Sequence, residues 1–224
     1  MPDEMMDWDS TYREQGQFQG PPPWIIGEPQ PEIAKLIEAG EFRSDVLEVG
    51  RGSGEPSLEL AARGYTVVGV DLAPTAVASA AKAAEERGLT TATFEQANIT
   101  SLTGYDGRFN TVLDCALFHS LPVEARDDYL RSVHRAAAPG ASYFILVFAP
   151  GSFPQGEEGY GPNVVTEDEL REAVSKYWEI DEIRPAFLHA NMPRMPDYPL
   201  PEFDLDEKGR DKLPAFLLTA HKQS

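Results

Sequence analysis

The 224-residue chain carries 37 acidic against 19 basic side chains, a formal charge of −18, with no Lys- or Arg-rich run to offset it. Proteins gain nucleic-acid affinity by neutralising phosphates and anionic-membrane affinity through basic clusters, so neither partner is expected. A single cysteine, Cys115, precludes an intrachain disulfide, no apolar run approaches the ~20 residues of a membrane helix, and the acidic start Met1-Pro2-Asp3-Glu4 is unlike a signal peptide, so the expected setting is the cytoplasm.

Residues 1–43 read as an N-terminal extension, or lid, that packs on a main domain spanning 44–224. Asp7 to Gln15 suits a short helix, whereas Gly20-Pro21-Pro22-Pro23 does not, because proline lacks the amide donor. Gln30 to Ala39 predicts a second helix, with Pro31 in its first turn, Ile33, Leu36 and Ile37 on one face and Gly40 closing it. From Ser44 onward strands and helices alternate. Strands are predicted at 45–49, 65–71, 91–96, 108–113 and 142–148. Helices fall between them at 56–63, from Pro74 to Gly88 with Val77, Ala80, Ala81 and Ala84 inward, and at 122–137 with Val123, Leu130, Val133 and Ala137 inward. Thr166-Glu167-Asp168-Glu169 has the capping-box form and opens a helix to about Tyr177. Two strands, 178–183 and 215–220, end the chain without a helix between them. Parallel neighbours need a crossover helix, so the pattern predicts an α/β, doubly wound, mostly parallel seven-stranded sheet with an antiparallel last strand.

The sharpest motif is Val46-Leu47-Glu48-Val49-Gly50-Arg51-Gly52-Ser53-Gly54, a strand running into a glycine loop and then a helix. Such a loop lies at the carboxyl end of a parallel strand, where α/β sheets bind ligands, and it lets a ligand approach bare backbone. A dinucleotide fingerprint requires a third glycine where Glu55 stands, and that carboxylate would repel a pyrophosphate. S-adenosylmethionine (SAM) has no phosphate; its ammonium and carboxylate suit Glu48 and bare amides. Asp71, at the end of the second strand, fits two readings: an acceptor for both ribose hydroxyls, or a cap for the helix at Pro74.

Glu48 to Gly54, Val67 to Asp71, Ala97-Asn98-Ile99 and Phe109 to Asp114 together resemble the successive motifs of class I SAM-dependent methyltransferases, in the family's order over residues 44–150. With Trp8, Tyr12 and Pro22 to Gly27 in front, the chain resembles bacterial small-molecule methyltransferases that modify quinones and heterocyclic toxins, and distantly the thiopurine methyltransferases. The resemblance implies a Rossmann-like methyltransferase fold. It also implies that Gly50, Gly52 and Gly54 line the methionine part of SAM, Asp71 and Leu72 its ribose and adenine edge, and Asn98 and Ile99 the adenine. Asp114 and Ala116 would lie under the sulfonium. Trp8, Tyr12, Phe18 and Trp24 crowd the extension, where they either form a lid, with Trp24 and Tyr12 contacting the pocket, or anchor the extension to the domain. Two positions depart from the family: Asn98 stands where Asp is more frequent, and Arg51 replaces a small residue.

Methyl transfer from a sulfonium is an in-line displacement, so positioning does most of the work and a base is needed only when the acceptor must lose a proton. His119, just past the fourth strand, is the candidate base or acceptor-orienting group; capping the helix at Pro122 is its other reading. His189 and Asn191, placed between the last two strands, and Phe153, in the glycine-rich segment 151–162 with Tyr160, are candidate acceptor contacts. Cys115 reads as a small buried residue, and no metal site is expected. The expected function is methylation of a small aromatic, quinone-like or heterocyclic acceptor, with O- or N-methylation favoured. Two alternatives stand beside it: an NAD- or nucleotide-sugar-dependent enzyme, disfavoured by Glu55 and the lack of a Tyr-x-x-x-Lys pair, and a SAM-binding module without turnover. The sequence does not separate a monomer from a homodimer.

Overall fold

The run Tyr143 to Phe148 is nearly continuously apolar, and in Val46 to Val49 only Glu48 interrupts one, so both faces of their sheet must be covered. A computed structural model, which describes residues 7–15, 20–50, 52–153, 163–193 and 201–224, has that layering. Strands β1 (Val46–Val49), β2 (Val67–Asp71), β3 (Ala92–Gln96), β4 (Phe109–Cys115), β5 (Ala137–Phe148), β6 (Glu179–Ala190) and β7 (Asp211–His221) form one sheet in the order β3-β2-β1-β4-β5-β7-β6. All pairs are parallel except those of β7, which runs antiparallel to both β5 and β6.

Helices α1 (Trp8–Tyr12) and α2 (Pro31–Glu38) precede the sheet, and α3 (Glu55–Ala62), α4 (Pro74–Glu86), α5 (Arg126–Ala136) and α6 (Glu167–Val174) connect its strands. On one face Ile33, Ile37 and Leu60 pack with Leu113, Leu146 and Leu217; on the other Leu130, Val133, Leu170 and Val174 pack with Val112, Ile145 and Leu218. Among the described residues no helix is long and apolar enough to cross a membrane.

Three expectations need correction. The last two strands are much longer than predicted because their prolines are tolerated: Pro185 lies in the edge strand β6, and Pro214 lies beyond the last residue of β7 that pairs with β5, Ala215. The helix expected from Pro122 starts at Arg126 after a 3-10 turn (Val123–Ala125), and Val123 points outward, 65% exposed. Its C-terminal end is also earlier: Ala137 already pairs with Phe109, so Pro139-Gly140 lies inside β5 rather than closing a helix. In α4 the inward row is Ala76, Ala80 and Ala84, one helical position away from the expected Val77 and Ala81.

The register positions the site. Val49 lies level with Val70 on one side and Asp114 on the other, so Gly50, Asp71 and Cys115 emerge together at the carboxyl edge. Chain order reverses between β1 and β4, which is the switch point where such sheets open a crevice.

Candidate active site

Gly50, Gly52 and Gly54 have φ of +57°, +51° and +72°, the left-handed region that glycine enters without penalty. A Cβ at Gly50 would come within 2.6 Å of the Leu117 side chain, and one at Gly52 within 2.7 Å of the Tyr12 hydroxyl. Gly52 also donates its N–H to Asp71 Oδ2 at 3.0 Å, while Asp71 Oδ1 accepts from Ala73 at 2.9 Å. The carboxylate is thus 7% exposed and fixed by two amides, with lone pairs remaining on both oxygens. The capping reading of Asp71 and the ligand reading are both compatible with this geometry.

Glu48 is buried at the N-terminus of α3, where Oε2 accepts from the Ser57 amide at 2.9 Å and from the Ser57 hydroxyl. That is a favourable end of the helix dipole for a carboxylate. Leu72 is 47% exposed beside Asp71, an apolar shelf on the rim of the crevice, and its carbonyl accepts from Gln96. Asn98 turns Oδ1 onto the Thr100 amide and hydroxyl, at 3.0 and 2.9 Å, so its carbonyl is held locally and its NH₂ group faces outward as a donor. Ile99 beside it is buried.

Past β4 the chain turns sharply. Ala116 takes φ +77°, a strained value for a residue with a Cβ, and its N–H still bonds to Leu146. Asp114 steadies this turn: Oδ1 accepts from the Leu117 and Phe118 amides at 2.7 and 3.3 Å, and Oδ2 accepts from the Tyr129 hydroxyl at 2.6 Å. Tyr129 in turn meets Tyr143 at 2.8 Å. Full burial pushes the Asp114 carboxyl up to about 6 in spite of these donors. Both its oxygens face the turn and the α5 side, so it shapes the ground beneath the crevice.

His119 follows in a 3-10 turn (Phe118–Ser120), 3% exposed, its ring 4.6 Å from that of Phe148. Phe148 meets Phe153 edge-on at 4.9 Å. Nδ1 of His119 accepts from the Phe148 amide at 3.3 Å, so the neutral ring carries its hydrogen on Nε2. Burial, helped by the charge of Arg126, lowers its pKa to about 3. The ring is therefore neutral at neutral pH and a weak proton acceptor, with Nδ1 engaged and Nε2–H left as a donor.

His189 lies within β6, not between strands, and Asn191 directly follows it. Its Nδ1 is 2.8 Å from Asp206 Oδ2, and its backbone pairs with the Gln30 side chain. Asp206 also binds Arg210, which reaches Glu28, so this cluster ties the extension to the β6–β7 edge. Asn191 donates its amide to Pro23 at 2.8 Å. Neither residue is brought into a recorded contact with His119. Cys115 is held as an inert thiol, its pKa well raised by burial.

The extension reaches the donor loop and the start of α4. Asp9 of α1 accepts from the Thr75 amide, and Tyr12 reaches Gly52. Trp8 and Trp24 meet edge-on at 6.3 Å. Arg51, Phe18 and Tyr160 lie outside the described residues.

A family model described as a methyltransferase domain matches residues 46–140, the stretch from β1 through the beginning of β5. Over 96% of its length the chain is 49% identical to the 2-heptyl-1-hydroxyquinolin-4(1H)-one methyltransferase of Mycobacteroides abscessus, itself 96% covered. The chain belongs to the SAM-dependent methyltransferases. Solved structures agree. One, from work on the conversion of a disulfide bond into a thioacetal group during echinomycin biosynthesis, superposes with a TM-score of 0.83 at 32% identity, covering 96% of this chain and 90% of that one. A SAM-dependent methyltransferase of Methanosarcina mazei gives a TM-score of 0.65 at 25% identity, covering 84% of this chain and 97% of that one.

In this methyltransferase the sequence located the glycine loop, Asp71, Asn98 and His119 along one sheet edge, and the fold gathers them there. Three participants escaped it. Leu117 presses on Gly50, Tyr129 holds Asp114, and Arg126 is buried to 9% exposure although it opens a helix whose next residues are Asp127 and Asp128. An arginine in such a polar run reads as solvated, and only the tertiary packing of Phe118 beneath it reveals otherwise.

Proposed function

We propose that this methyltransferase transfers the methyl group of SAM to oxygen or nitrogen of a small, flat, heterocyclic or quinone-like acceptor in the cytoplasm. The observation that carries the reading is the 49% identity, spread over nearly the whole of both chains, to a methyltransferase named for a hydroxyquinolone. The aromatic wall of His119, Phe148 and Phe153 beside the crevice supports it, since flat rings pack well on such surfaces. A chain of charge −18 without a Lys- or Arg-rich run does not favour acceptors of nucleic-acid or membrane character.

The donor half fits SAM on its own geometry. Gly50, Gly52 and Gly54 take left-handed backbone and leave the loop without Cβ atoms between Leu117 and Tyr12, suited to the methionine portion with Glu48 beneath the loop. Asp71 keeps lone pairs for the ribose, Leu72 and Ile99 offer apolar contact to adenine, and the Asn98 amide donates to a ring nitrogen. Asp114 and Ala116 set the turn under the sulfonium. SAM supplies an electrophilic methyl on that sulfonium; the chain's residues position, desolvate and hold. Residues 1–43 serve as a lid through Tyr12 and Trp24, closing on the domain formed by 44–224, and His189 and Asn191 brace that lid where it meets β6.

Calorimetric titration with SAM, S-adenosylhomocysteine and NAD tests the donor site, with Asp71→Ala alongside. Micromolar binding of the first two, weakened at least tenfold in the variant and absent for NAD, is expected, since charged hydrogen bonds contribute about 1.5–3 kcal/mol each. Methyl transfer to hydroxyquinolones, phenols or quinones then separates an enzyme from a module that binds SAM without turnover; no product from any of them would leave only the latter.

A further inference from the structure

Among the described residues Arg126 is a charged side chain whose burial is not matched by hydrogen bonds. It opens α5, is 9% exposed, and lays its guanidinium 4.9 Å over the Phe118 ring. Among the described residues its Nε–H and one terminal N–H pair find no hydrogen-bond acceptor. The charge of Glu169 of α6 acts favourably on it, but Glu169 Oε2 accepts from the amide and hydroxyl of Thr166 in the capping box and forms no hydrogen bond to the guanidinium groups left unpaired. A buried cation without hydrogen-bonded compensation is costly, and proteins keep one where something else supplies the counter-charge.

Its location says what that is. Leu117 sits against Gly50, so the turn after β4 begins at the donor loop. From there it runs away from Asp71, through Phe118 and His119, towards Phe148 and Phe153 at the end of β5. Arg126 stands beyond that turn, next to α6, and so belongs to the acceptor half. Its charge acts on His119, whose free Nε2–H is a second donor in the same wall. Among the described residues the wall contains a buried cation, aromatic rings and an imidazole whose Nδ1 is already engaged by the Phe148 amide.

We propose that Arg126, with His119, forms an oxyanion subsite that binds the acceptor as its conjugate base. The ligand class is a conjugated hydroxy-heterocycle, N-hydroxy or enolic, whose negative charge is spread over ring and oxygen. This deepens the function proposed above and rests on it. The acceptor loses its proton to water before or during binding. In the transfer its oxygen lone pair forms the new O–CH₃ bond, the C–S bond breaks, and that electron pair stays on sulfur. Two opposite charges disappear and no protein group changes protonation state. Arg126 replaces a general base by lowering the acceptor's pKa, which explains how a neutral, donor-only histidine is sufficient.

The test uses the full chain saturated with S-adenosylhomocysteine and the probe 2-heptyl-1-hydroxyquinolin-4(1H)-one, whose neutral and anionic forms are distinguished by ultraviolet absorbance. The quinolone lacking the N-hydroxyl serves as a neutral control. The bound probe is expected to titrate at least one pH unit below the free probe in the unaltered protein. Arg126→Gln should abolish that shift and weaken anion binding at least tenfold, while leaving the neutral control and S-adenosylhomocysteine bound as before; Arg126→Lys should keep part of the shift. Arg126→Met, which removes a buried charge whose Nε–H and one terminal NH₂ lack acceptors, should raise the Tm of the ligand-free protein by a few degrees. A bound probe that titrates as it does in water overturns the proposal, whatever the variants do. So does a shift that survives in Arg126→Gln, or an equal loss of the neutral control. A protein that binds S-adenosylhomocysteine but neither form of the probe overturns instead the acceptor class on which the proposal rests.

Discussion

Gly52 shows how closely donor loop and extension are fitted. With φ +51° and the Tyr12 hydroxyl 2.7 Å from where a Cβ would sit, Gly52→Ala meets two penalties, a strained backbone and a displaced tyrosine. Left-handed backbone costs an L-residue about 1–2 kcal/mol. The substitution is expected to weaken SAM binding at least tenfold. Tyr12→Phe in the same chain removes the closest contact but not the backbone strain, so calorimetry should return part of the affinity and no more. Full recovery would mean the steric contact is everything; none would mean Tyr12 yields freely. Asp114 carries a second prediction, about pH. Its carboxyl is raised from 3.8 to about 6, so the folded chain binds this proton more tightly than the unfolded one. Its contribution to stability is therefore highest below about pH 4, falls as pH rises through 4 to 6, and is flat above. Asp114→Asn removes that slope. The stability of the unaltered protein relative to the variant should fall by about 2 kcal/mol between pH 4 and pH 7 in denaturant titrations. A constant difference would mean the two amides and Tyr129 hold the carboxylate ionised after all. Glycines and strand-end acids were legible in the sequence because their spacing to a strand defines where they emerge. The state of His119 was not, because it depends on a bond to Phe148, 29 residues away.

Elements were legible where one signal decided them. The capping box at Thr166 and the run into Gly50 were unambiguous, and both are found where expected. Strands β6 and β7 were cut short because Pro185 and Pro214 look like breakers until their places in the sheet are known. The start of α4 shows another limit. Its N-cap residue is Ala73, which has no side chain to offer, and the carboxylate of Asp9 supplies the missing acceptor to Thr75 from α1. A cap borrowed from 66 residues away leaves no local trace in sequence. It also gives α1 a direct tie to α4, to which Arg13 adds a 3.4 Å contact with the Thr75 hydroxyl. Asp9→Ala is expected to release α1: amides of residues 8–12 should exchange at least tenfold faster with deuterium, and tryptophan emission should change as Trp8 leaves Trp24. Exchange of β1 and β4 should not alter. If α1 keeps its protection, the Tyr12 contact at Gly52 rather than the borrowed cap holds it down.

At the scale of the whole molecule the charge of −18 and the many ion pairs pull in opposite directions. Most pairs are exposed, such as Arg171 with Glu167 and Arg131 with Asp127, and contacts of that kind contribute little individually. The chain has 18 more acidic than basic groups, and folding brings that excess closer together than in the unfolded chain. Self-repulsion then outweighs the pairs, and salt should relieve it. The screening length falls from about 30 Å at 10 mM salt to about 8 Å at 150 mM, shorter than the distance between opposite sides of the molecule. Tm is therefore expected to rise by several degrees over that range of sodium chloride at pH 7.5, and to level off beyond it. The better-buried cluster of Glu28, Asp206 and Arg210 is screened less and should be little affected. A Tm that falls with added salt would reverse the ranking, making the ion pairs rather than the excess charge the larger electrostatic term. The same titration with Glu28→Gln would then locate the loss, because this variant removes the partner that Lys208 and Arg210 share.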